Sequence, residues 1–173
     1  MSSTSTIRRE NLRPELAKRK QSPPSLASST GRLKKITQAT PYELIEMERA
    51  GVPGVTVKAL ARDLNLPMGR FVQIIGAPKA TVARKFAARK NLTGSSAYSA
   101  LGTIRLVGIV ESILAESTHP DAKKVNAAKW LGEWIETIQP ALGGKKPADI
   151  MDTPTGMVMV GRVLGAISSG AYL

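Results

Sequence analysis

Between Arg70 and Arg105 the chain has no acidic residue, and within that stretch Lys79, Thr81, Arg84, Lys85 and Arg89 follow one another at short intervals. Lysine and arginine ends donate to phosphate oxygens and to guanine edges, and a small hydroxyl reaches either. The pattern predicts DNA binding if a rigid element presents these residues on one side; on an unsupported helix it would be an ordinary solvated basic face. A second stretch, Pro140-Ala141-Leu142-Gly143-Gly144-Lys145-Lys146-Pro147, has a tight-turn signature with few charges. Further on, Gly170-Ala171-Tyr172-Leu173 combines an apolar tip with a carboxylate. Both segments are expected to be held by a partner.

Catalysis finds little support in the residues. The chain has no Cys, so thiolate zinc sites, disulfides and a cysteine nucleophile are excluded, and a reducing, cytoplasmic setting is consistent with it. No phosphate-cradling loop, no Gly-x-Ser-x-Gly elbow and no metal-ligand spacing occurs. His119, followed by Pro120, stands without a second His nearby. Asp149 and Asp152 are spaced as paired carboxylates could be, but they are better placed as a first-turn charge and a loop residue before a helix. No catalytic residue, metal or cofactor is expected, and no apolar run reads as the roughly 20 residues that would imply a membrane partner.

The elements that must position these residues read as helices. Thr40-Pro41-Tyr42-Glu43 is a capping box opening a helix that ends at Gly51. A second helix from about Thr56 places Val57, Leu60, Ala61 and Leu64 on one face. A third runs from Pro67 to Ile75 and stops at Gly76. The turn Gly76-Ala77-Pro78 then opens a basic helix at 78–90, the lengths of a helix–turn–helix pair. Thr93 is expected to cap a long helix reaching Glu116. Asp121 is expected to cap the next, with Val125, Ala128, Leu131 and Ile135 on its apolar side and Trp130 and Trp134 stacked on its flank. A short helix from Pro147 and a last one capped at Thr153-Pro154 follow, with Gly161 and Gly165 expected to let that last helix pack on helix 122–136 in preference to forming a dimer seam. The predicted class is all-α.

Charge divides the chain. Residues 1–40 hold nine Lys and Arg against Glu10 and Glu15, residues 41–102 nine against four acids, and residues 103–173 seven of each sign. The expected organisation is a flexible basic arm (1–40), a DNA-binding domain (41–102) and a neutral partner-binding and dimerisation domain (103–173), because a polyanion-facing half and a neutral half imply different tasks.

Trp130-Leu131, the turn Pro140 to Pro147, Asp149, Gly156 with Val160, and Leu164-Gly165-Ala166-Ile167-Ser168-Ser169-Gly170 occur in an order that resembles the C-terminal part of Xre/MbcA/ParS antitoxins. The stretch Gly76 to Arg84 resembles their Xre-like helix–turn–helix more loosely, with Ala77-Pro78 where a small hydroxyl residue is common. The resemblance implies a dimeric repressor of its own operon that binds operator DNA through Lys79, Thr81, Arg84, Lys85 and Arg89. It also implies a RES-domain toxin as partner, an enzyme that degrades NAD or ADP-ribosylates with it. Leu142, Gly143, Gly144, Lys145, Gly170, Ala171, Tyr172 and Leu173 would bind that toxin, with the tail entering its NAD pocket. The alternative reading is a stand-alone dimeric helix–turn–helix regulator with no toxin partner.

Overall fold

A computed structural model of the chain describes residues 36–168. Among these residues the chain forms seven α-helices: α1 Pro41–Ala50, α2 Gly54–Asp63, α3 Met68–Ile74, α4 Lys79–Ala87, α5 Ser95–Glu116, α6 Ala127–Ile135 and α7 Pro154–Ser168. Single 3-10 turns lie at Ala122–Lys124, Pro140–Leu142 and Pro147–Asp149. No strand occurs among the described residues, only isolated antiparallel bridges pairing Val52 with Leu92 and Gln139 with Lys145. The all-α expectation holds.

Local chemistry accounts for most helix ends. The Thr40 N–H donates to the Glu43 carboxylate at 2.8 Å and the Thr40 hydroxyl accepts from the Glu43 N–H at 3.3 Å, the reciprocal pair of a capping box. Helices α2, α3 and α4 all close in the same way: a left-handed residue (Asn65 φ 56, Gly76 φ 64, Arg89 φ 51) turns the chain. The next N–H then reaches back five residues, from Leu66 to Ala61, Ala77 to Val72 and Lys90 to Lys85. The Thr153 hydroxyl accepts from the Gly156 N–H at 3.0 Å and opens α7 as expected.

Two expected starts move. The N-cap of α5 is Gly94 at φ 70, while the Thr93 hydroxyl accepts from the Lys85 ammonium at 2.8 Å. Asp121 makes no side-chain cap bond and precedes only a 3-10 turn. The chain extends at Val125, which stays 40 % exposed, and Asn126 caps α6 by accepting from the Lys129 N–H. Ala128, Leu131 and Ile135 are buried as expected, and Trp130 and Trp134 stack with centroids 6.0 Å apart.

Helix α5 is the axis of the packing, with α1, α6 and α7 against it. Its buried face is small and aliphatic (Ala97, Ala100, Leu101, Ile104, Val107, Val110), which lets neighbours approach closely. By length and composition α5 could cross a membrane, which the sequence reading did not anticipate; half of its apolar window is packed inside the protein. Buried residues from Ile36 to Leu164 form one core cluster, so the core includes Ile36 from the predicted arm and continues across the expected boundary at 102 through Leu101 and Ile104 of α5. Gly161 and Gly165 do not make the 122–136 segment the main neighbour of α7. Helix α7 lies on α5 instead, a Cβ at Gly161 would meet only Leu106 at 3.8 Å, and one at Gly165 would meet nothing within 4 Å.

Candidate nucleic-acid and partner surfaces

The basic helix is held by its apolar side. Val82 is buried and Phe86 half-buried, and α4 packs on α2 and α3 across the Gly76 turn. Opposite that side, Lys79, Ala80, Ala83 and Arg84 are exposed. The outer surface of the N-terminal half is therefore two cations on a bed of alanines, which lets a helix backbone come close to a groove and its methyls touch thymine. Sequence reasoning singled out Lys79 and Arg84 but passed over Ala80 and Ala83, since alanine carries no chemical signal until its exposure is known.

The other predicted contacts are placed differently. Thr81 is half-buried. Lys85 is half-buried too, with its ammonium on Thr93, so it braces the loop before α5. Arg89 is exposed two residues past α4, at the left-handed closing position where glycine is usual.

In the C-terminal half, the Gln139 N–H donates to the Lys145 carbonyl at 3.0 Å and closes the Pro140–Leu142 turn into a loop. Gly143 (φ 66) and Gly144 (φ 75) both adopt left-handed backbone, and a Cβ on either would meet open space. Their glycines are thus required by dihedral angle and not by crowding. Gly143, Gly144 and Lys145 form an exposed tip, whereas Leu142 is 5 % exposed and anchors that tip in the core. Gly170, Ala171, Tyr172 and Leu173 lie outside the described residues. Large apolar side chains nearby in sequence stay exposed: Ile138, Val158 and Met159.

One polar cluster joins the two halves. Arg70, on α3, donates from Nε to Glu136 Oε1 at 2.6 Å and from Nη2 to Oε2 at 3.1 Å, a two-pronged pair between residues 66 apart. Arg70 also lies 3.6 Å from Asp149, and Lys146 3.6 Å from Glu136. The hydrogen bond from Arg70, more than any other cause, holds the Glu136 carboxyl below the usual carboxylate range against the opposing effect of burial. Asp149 thus has a partner beyond its own helical turn, and Asp152 packs its Cβ against the Gly76 turn. No short-range pattern marks Arg70 or Glu136.

Residues 124–170 match the model of the Antitoxin Xre/MbcA/ParS C-terminal toxin-binding domain. Over 139 residues the chain is 32 % identical to a Sphingobium sp. (strain YBL2) protein named Prs ADP-ribosylating antitoxin, an alignment covering 80 % of this chain and 86 % of that protein.

Proposed function

The chain belongs to the Xre/MbcA/ParS antitoxins, and on that footing we propose that it neutralises a RES-domain toxin through its C-terminal half and represses its own operon through α4. The observation that carries the toxin half is a coincidence of position. The matched segment 124–170 contains the left-handed Gly143-Gly144 tip and the exposed Ile138, Val158 and Met159. The turn before the tip is closed by backbone hydrogen bonds from Gly143 to Pro140 and from Gly144 to Gln139, and the exposed apolar side chains of the same segment offer area for a partner to bury.

The relative's name couples an antitoxin to ADP-ribosylation. ADP-ribosylation consumes NAD, which supports a toxin whose pocket receives that molecule. In this reading Gly170, Ala171, Tyr172 and Leu173 enter the pocket, with the Tyr172 ring where a base or nicotinamide would stack. Inhibition is then occlusion, and the antitoxin performs no chemistry itself. For repression, Lys79 and Arg84 would face the bases and a dimer would present two α4 helices to two half-sites.

The test is co-expression with the cognate toxin while cellular NAD is followed. Removal of Ala171 to Leu173 should release NAD loss and leave duplex binding intact. A truncated chain that protects as well as the full one would refute occlusion.

A further inference from the structure

We propose a phosphate-binding cleft between the start of α2 and the end of α4, separate from the base-facing half of α4 and taking a phosphodiester of the DNA backbone; it rests on the DNA-binding reading above. The cleft is about 320 Å³, and its polar lining is Lys58, Arg89, Lys90 and Asn91 around the Phe86 ring. No carboxylate lines it. Three cationic residues line one cleft with no acid among them, and an anion seated there would offset their mutual repulsion.

The cleft is also built. Gly54 has no Cβ, and one placed there would fall 2.5 Å from Phe86 Cδ1, so the ring lies flat on the first turn of α2 only because residue 54 is glycine. The Lys58 ammonium sits 5.5 Å from the centre of that ring, which holds the lysine over the cleft floor. Asn91 donates its side-chain N–H to the Ala50 carbonyl at 2.9 Å and fixes the far wall. Arg89 occupies a left-handed backbone position that an L side chain rarely adopts. From that position Arg89 lines the cleft, where its guanidinium can serve an anion.

Geometry favours the DNA backbone over a small ligand. Helix α4 runs from Lys79 to Ala87, eight steps or roughly 12 Å along its axis, and the major groove is about 12 Å wide. With the Lys79 end at the base edges, Arg89, two residues past the other end of the helix, would fall beside a phosphate ridge.

The experiment measures duplex affinity against salt for the full chain, for Lys58→Gln with Lys90→Gln, and for a charge-matched control, Lys123→Gln with Lys129→Gln. All four lysines are exposed, and each protein is checked by its melting temperature. The cleft variant should lose roughly tenfold in affinity on operator and unrelated duplex alike, and its log–log salt slope should fall by about 0.9 for one phosphate contact. Arg84→Ala should instead change the ratio between the two duplexes. An unaltered slope in the cleft variant, or an equal fall in the control, overturns the cleft while leaving DNA binding standing. A full chain without salt-dependent duplex affinity overturns both. Inorganic phosphate that binds the full chain at micromolar concentration, with duplex affinity indifferent to the cleft variant, would assign the cleft to a small phosphorylated ligand and overturn the DNA claim.

Discussion

Single residues here are decided by what surrounds them, and the glycines make the point. A Cβ on Gly132 would strike the Leu64 carbonyl oxygen, backbone against backbone, because α6 crosses the end of α2 at that position. Neither side can yield by rotating a side chain, so Gly132→Ala should lower unfolding free energy by about 3 kcal/mol. Gly165 faces open space on an exposed turn of α7, so Gly165→Ala should raise stability by about 0.5–1 kcal/mol through the lower helix cost of alanine. Urea melts of the two variants check both signs. A destabilising Gly165→Ala would mean that another chain covers that face in solution. Both residues are glycines within helical patterns, and the string of letters treats them alike.

At the scale of elements, caps and periodicity located the helices well because these are interactions within four or five residues. They failed where a nearby lysine took the capping group, Lys85 at Thr93 and Lys124 at Asp121. Thr93 is lost to the Lys85 ammonium, and the helix expected from Asp121 breaks at Val125. The Arg70–Glu136 pair ties α3 to the end of α6 and, through Asp149 and Lys146, to the Pro147–Asp149 turn. Both side chains remain about one-third exposed, so solvent screening limits the pair, and Arg70→Ala should cost about 1–2 kcal/mol. The Glu136 carboxyl is held below its ordinary value of 4.5, chiefly by the hydrogen bond from Arg70. Its contribution is therefore fully present above that ordinary value and is lost as pH falls through the lower folded value. Comparing urea midpoints of the natural chain and Glu136→Gln should show a gap at neutral pH that closes in acid. A gap independent of pH would mean that the pair contributes packing only.

The whole molecule combines a surface that changes character along the chain with a core that does not. Basic charge ends near residue 102, yet α5 runs through that position and buries residues of both halves against itself. Thermal unfolding followed by helix signal and by Trp130 and Trp134 fluorescence should therefore give one coincident transition; two separated transitions would show halves that fold independently. Helix content, helix order, the charge step and the ordered run from Trp130 to Gly170 were determined by the sequence by itself, since they rest on local spacing or on simple addition of charges. It took the packing of the helices to anchor the Gly143-Gly144 tip on Leu142, to turn Lys85 into a loop brace, and to line one cleft with Lys58, Phe86, Arg89 and Lys90. Those outcomes depend on which helices pack together, and packing pairs groups that are tens of residues apart and carry no mark of one another along the chain.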